Sequence, residues 1–140
     1  MPKSNPWTLE LKKIGLNTRQ KPHDEEHKIQ CAIAQYLKLV ENSHKDFTFF
    51  AVPNGGWRNP VVAAKLKAEG VRSGVSDLII LYAGKTYFVE VKTATGRQSD
   101  TQREFEQKVR ELGFEHTIWR GLGDAINFIN GLGLAYKFSA

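Results

Sequence analysis

The stretch that decides the fold is DLIILYAGKTYFVEVK, residues 77–92. Asp77 to Tyr82 and Lys85 to Lys92 are rich in β-branched and aromatic residues, and Ala83-Gly84 between them is the length of a two-residue turn. The pattern predicts a β-hairpin in which Tyr82 faces Lys85. Following such a ladder away from the turn brings Asp77 opposite Glu90. Side chains alternate across a strand, so Glu90 and Lys92 share one face while Val91 takes the other. Opposed side chains have Cβ atoms roughly 4.5–5.5 Å apart, close enough for two carboxylates to hold one cation. A slip of one residue would put the acids on opposite faces, so the register decides the chemistry.

Downstream, Thr93 to Gln98 reads as a polar loop. Ser99 and Gln102 have capping-box spacing, and Phe105, Val109 and Leu112 continue an apolar helical face until Gly113. Gln102 also lies on that inward face. Phe114 to Trp119 suits a strand, and Asp124 to Asn130 a helix ended by Gly131. Upstream, Asp46 to Val52 suits a strand and Pro53 to Gly56 a loop. Asn59 reads as the N-cap of a short helix, Val61 to Glu69, with Pro60 at its first position and Gly70 past its end. From His23 to Val40, the spacing of Ile29, Ile33, Tyr36, Leu37 and Val40 is that of an amphipathic helix. Glu26 lies seven residues before Ile33, in line with the buried stripe, where an acid is costly unless paired or coordinated. The order of elements predicts an α/β or α+β domain with a central mixed sheet.

The 140 residues fit one domain, and the balance of 41% hydrophobic and 25% charged residues is that of a folded globular chain. A single cysteine, Cys31, excludes an internal disulfide framework and is expected to pack as a core thiol. No apolar run approaches membrane-spanning length and no signal peptide is evident, so a cytoplasmic location is expected. The net charge of +5 is concentrated in two zones. Residues 1–22 hold five Lys or Arg against one Glu, and residues 54–103 hold eight against four acids. Such zones favour a polyanionic partner through phosphate neutralisation, or serve as solubilising surface.

Two neighbouring carboxylates repel unless a cation joins them, and Mg²⁺, with Mn²⁺ as substitute, prefers such oxygen ligands. Lys92, two residues past Glu90, could hold a water or stabilise charge on a phosphoryl group. The competing reading is a salt-bridged sheet surface, with Asp77 and Glu90 neutralised by Lys92. Trp57 and Arg58 after the Gly-rich loop suit base stacking and phosphate contact, or simple loop anchoring. Arg72 suits a phosphate clamp. His23 and His27, one helical turn apart, lack an evident third zinc ligand.

Gly70-Val-Arg-Ser-Gly-Val-Ser-Asp77, Phe88-Val-Glu-Val-Lys92, then Gly96, Ser99 and Gln102, resemble the VRR-NUC branch of the PD-(D/E)xK nucleases. Glu26-x-x-x-Gln30 and Pro53-Asn-Gly-Gly56 resemble that family in the same order, so the likeness runs from about His23 to Leu132. It implies a restriction-endonuclease-like αβββαβ core in residues 23–132, between a basic arm (1–22) and a short tail (133–140). It implies a Mg²⁺-dependent endodeoxyribonuclease, homodimeric and associated with branched DNA in repair or recombination, of a type often encoded by phages. Asp77, Glu90 and the Val91 carbonyl would be metal ligands, with Glu26 binding a second metal or a metal-bound water. Lys92 would activate the water, and Gln102 would reach the site from its helix, which requires Ser99 to cap alone, the reading favoured over a full capping box. Nucleic-acid contacts would come from Asn54, Trp57, Arg58, Arg72 and Arg97. Ser76 stands where the superfamily often has Pro, which would only stiffen the strand entry. The alternative is a catalytically silent nucleic-acid-binding module of nuclease descent.

Overall fold

Ala83 and Gly84 both adopt positive φ, 52° and 75°, in the computed structural model, which describes residues 22–53 and 59–134. Two consecutive left-handed residues make the tight turn whose twist matches the flanking strands. That turn sets Tyr82 opposite Lys85 and Leu78 opposite Val89, so β2 (Leu78–Tyr82) and β3 (Lys85–Val91) pair antiparallel in the expected register. β1 (Phe47–Ala51) pairs antiparallel with β2, from Phe47 opposite Tyr82 to Ala51 opposite Leu78. β4 (Glu115–Trp119) runs parallel to β3, completing a four-stranded mixed sheet in the order β1-β2-β3-β4.

The helices follow local signals. α1 spans Pro22–Ser43, with Asp24 and Glu25 in its first turn, where the helix dipole favours acids. In α2 (Pro60–Ala68) the Asn59 side chain accepts from the Val61 N–H at 2.9 Å, as its N-cap role predicts. α3 (Asp100–Glu111) fills the connection between the parallel strands β3 and β4, as such connections require. α4 (Leu122–Gly131) starts two residues before the predicted Asp124, whose carboxylate accepts from the Arg120 N–H at 2.8 Å. It also runs through Gly131, and the positive φ that ends it falls at Gly133.

Alternation sorts the sheet into two faces. Ile33, Leu37 and Val40 of α1 and Ala125 and Ile129 of α4 bury against Leu78, Ile80, Tyr87, Val89, Val91 and Trp119. Phe128 locks this layer, edge-on to Tyr87 with ring centres 5.2 Å apart and 5.5 Å from Trp119. The opposite face turns Phe88 toward α3, in edge-to-face contact with Phe105 and Phe114. α2 has no buried side chain among its residues. Cys31 corrects one expectation: it is exposed, with its Sγ 3.5 Å from Nε2 of His27 one turn earlier. It falls outside the stripe that carries Ile33 and Leu37, so the core does not use it.

Candidate active site

Tyr87, Val89 and Val91 of β3 enter the main core, so the alternate residues Phe88 and Glu90, with Lys92 just beyond the strand, project from the other face. Asp77 immediately precedes Leu78, a core residue, and therefore shares the face of Glu90. Two ladder bonds fix the backbone here. The Val52 N–H donates to the Asp77 carbonyl at 2.9 Å, and the Lys92 N–H donates to the Trp119 carbonyl at 2.9 Å. A third bond crosses the hairpin: the Val91 N–H donates to the Asp77 carboxylate at 2.8 Å. The peptide of Val91 is thus tied to Asp77 through its nitrogen.

The environment is unusually dry for three ionisable groups. Glu90 is 2% exposed and Lys92 8% exposed, while Asp77 is half-buried. Burial lifts the Asp77 carboxyl above its ordinary value, against the opposing pull of the Val91 N–H and the Lys92 ammonium. Burial likewise lifts Glu90, opposed by the Gln98 hydrogen bond and Lys92 and reinforced by the negative charges of Asp77 and Glu106. Glu90 therefore feels both Asp77 and Lys92.

The wall behind Glu90 comes from residues that no motif singled out. Gln98 Nε2 donates to Glu90 Oε2 at 2.7 Å and to Glu106 Oε1 at 2.9 Å. Burial pushes Glu106 up, but the bonds from Gln98 and Arg110 and the nearby positive charge outweigh it, and its carboxyl lies below the usual value. His116, opposite Phe88 on β4, is buried with Nδ1 3.3 Å from Glu106 Oε1, an approach that makes no hydrogen bond; burial lowers its pKa. Arg120 Nη1 fastens the loop after Lys92 by donating to the carbonyls of Thr93 at 2.8 Å and Gly96 at 2.7 Å. The only sequence signal for this wall was the four-residue spacing of Glu106 and Arg110, a common surface pair.

Gln102 is a correction. The full capping box forms: the Ser99 hydroxyl accepts from the Gln102 N–H, and the Ser99 N–H donates to Gln102 Oε1 at 2.8 Å. Ser99 does not cap alone, because the reciprocal bond satisfies an otherwise orphan N–H at the helix start. Glu26 is half-buried on α1. It does not join Asp77 and Glu90 in a metal-binding group: among the described residues no three His, Cys, Asp or Glu side chains form a group that could hold a metal ion. Arg72 is exposed, its guanidinium 5.6 Å from the Phe105 ring centre, and Arg97 is exposed on the loop before α3. Asn54, Trp57 and Arg58 lie outside the described residues.

Comparison with known proteins meets this geometry directly. The family model of the VRR-NUC domain matches residues 24–122. The chain belongs to the VRR-NUC domain family. Two solved structures share its fold. One, described as a VRR_NUC domain protein, is 18% identical with a TM-score of 0.62, the alignment covering 79% of this chain and 90% of that one. Another, described as a VRR_NUC domain, is 18% identical with a TM-score of 0.54, covering 76% and 95%. No curated protein sequence matches. The VRR-NUC family belongs to the restriction-endonuclease-like nuclease superfamily, so the chain carries a nuclease-type fold.

Nucleases of this superfamily generally use divalent metals, which makes the donor set of this VRR-NUC domain worth testing. Two carboxylates on one face, both lifted by burial, form a hard-oxygen pair whose mutual repulsion a divalent cation would relieve. With only two acids converging, such a cation would keep several waters, as Mg²⁺ commonly does. The residues fit.

Proposed function

We propose that this VRR-NUC domain is a divalent-metal-dependent DNA endonuclease, using Mg²⁺ with Mn²⁺ as substitute. The observation that carries the reading is the placement of Asp77, Glu90 and Lys92 together on the face opposite the main core, with Glu90 and Lys92 buried and Asp77 half-buried. A purely structural salt bridge at a sheet surface would be exposed and cheap; burying two acids beside one lysine is costly and favours a functional explanation.

Asp77 and Glu90 would hold the cation, with the Val91 carbonyl as a third donor, and Glu26 would act from α1 only through a metal-bound water, not as a direct ligand. The metal, when bound, supplies Lewis-acid stabilisation of phosphoryl oxygens and a more acidic water. Lys92 orients the attacking water and stabilises negative charge on the phosphate as water adds in line and the leaving oxygen departs. Arg72, Arg97 and Arg58 would contact DNA phosphates, Trp57 would stack on a base, and Asn54 would be a further nucleic-acid contact. We assign branched DNA, such as junctions and flaps, as substrate, a homodimer as the working form, and the cytoplasm as its location. No described helix is long and apolar enough to cross a membrane.

One observation favours the second reading, a nucleic-acid-binding module that does not cleave: no third acid converges on the pair among the described residues. Cleavage of linear, flap and four-way DNA in Mg²⁺ separates the two. Wild type should cut, and Asp77→Ala or Lys92→Ala should lower the rate by about 10²–10³-fold or more with binding retained. Binding without cleavage on every substrate and with either metal favours the silent module. Equal cleavage by Asp77→Ala removes the site assignment.

A further inference from the structure

The side chain that touches Glu90 is Gln98, four residues before the glutamine that the motif offered. Its Nε2 bridges Glu90 Oε2 and Glu106 Oε1 at 2.7 and 2.9 Å. Both neighbours are carboxylates, which when ionised can accept but not donate, so the amide turns its NH₂ end to them and its oxygen away. The bridge is anchored on each side. Arg103 Nη1 donates to the Gln98 carbonyl at 2.9 Å, holding the backbone. Glu106 accepts from Arg110 Nε at 3.1 Å, and Arg110 Nη2 donates to the His116 carbonyl at 2.9 Å. A continuous series of fixed groups thus runs from the β4 backbone through Arg110, Glu106 and Gln98 to Glu90.

We propose that Gln98 is a positioning residue for the cation site, with Glu106 as its anchor: it commits Oε2 of Glu90 and leaves Oε1 to ligate. The proposal rests on the reading of Asp77 and Glu90 as cation ligands. A glutamate has three side-chain torsions, and a site of two acids has little redundancy to restrain them. Fixing the carboxylate before the ion arrives removes an ordering cost from binding, and partners behind metal ligands typically change affinity by about 10–100-fold. Gln98 also places a donor between two like charges; without it Glu90 and Glu106 would repel, and Glu90 would leave its rotamer. Gln102 is engaged elsewhere, its Oε1 accepting from the Ser99 N–H at the helix start.

The test is calorimetric titration of MnCl₂ into the full chain without DNA, for wild type, Asp77→Asn, Gln98→Met and Glu106→Ala. Gln98→Met keeps length and bulk and removes both donors. The Mn²⁺ Kd should rise about 10-fold or more in Gln98→Met, while the melting temperature without metal stays within about 3 °C. Glu106→Ala should raise the Kd by a smaller factor, and it decides the matter if Gln98→Met fails to fold. An unchanged Kd in both variants, with wild-type binding lost in Asp77→Asn, overturns the proposal and leaves the cation site standing. Absence of saturable Mn²⁺ binding by wild type overturns the site reading itself, and the role of Gln98 with it.

Discussion

Glu90 and Asp77 are acids whose pKa values are raised chiefly by burial, and this has a consequence for stability. A carboxyl with a raised folded-state pKa contributes stability that is fully present below its unfolded value and lost as pH rises through the folded one. Above that window the ion-free protein carries two poorly solvated negative charges. His116 acts in the opposite sense: burial lowers its pKa, so its contribution is present above the ordinary value of 6.5 and lost as pH falls through the lowered one. Scanning calorimetry in EDTA should therefore show Asp77→Asn melting above wild type near pH 8, with the advantage shrinking as pH falls toward about 4. The asparagine oxygen can still accept from the Val91 N–H. Millimolar Mg²⁺ should reverse the ranking at pH 8, because an ion bound only to the folded wild type stabilises it by mass action. Asp77→Asn melting at or below wild type in EDTA would remove charge burial as the defining feature of the pair.

At the scale of elements, two turns position the site. Gly74, at φ 83°, packs on the first turn of α3, where an added Cβ would lie well inside contact distance of the Thr101 carbonyl. This contact docks the segment that leads into Asp77 against the helix that carries Glu106. Gly74→Ala must accept both backbone strain and a clash with an immobile carbonyl, and should cost about 2 kcal/mol or more in urea unfolding. The hairpin turn offers the reverse test. Ala83 holds a left-handed φ of 52° that suits Asn far better, so Ala83→Asn should stabilise by about 0.5–1 kcal/mol without moving the register. No gain in unfolding free energy would mean that Ala83 carries no strain.

For the whole molecule the governing quantity is charge. The zone spanning 54–103 has eight basic residues against four acids, although two of those acids are Asp77 and Glu90 themselves. On the proposed reading, a phosphate approaching the carboxylates would meet a segment of chain with net positive charge. The first 22 residues supply a second basic zone, and since Pro22 opens α1, residues 1–21 are the part that precedes that helix. Deleting 1–21 should weaken DNA binding and make its logarithmic salt dependence shallower by roughly one for each phosphate no longer neutralised, with the cleavage rate at saturation unchanged. Disappearance of the folded circular-dichroism spectrum on deletion would instead assign the arm to the fold.

The hairpin, the amphipathic stripe of α1 and the caps at Asn59 and Ser99 were legible in the amino-acid sequence, because each depends on residues within a few positions of one another. Ala83-Gly84 alone sets the register, and register with alternation puts Asp77 and Glu90 on one face. The first helix was legible through Ile33, Leu37 and Val40, whereas Cys31 was misplaced because composition says nothing about which side of a helix a lone residue takes. Gln102 was misread because two local roles competed, and a reciprocal backbone bond at the helix start prevailed over a longer reach to the site. Gln98, Glu106 and Arg110 carry no periodic signal that separates them from surface polar residues. They became partners of Glu90 only when α3 folded back across the sheet and β4 inserted parallel to β3. Short-range geometry is written in neighbouring residues; the chain-distant groups that surround a charge are chosen by packing, which only the tertiary structure decides.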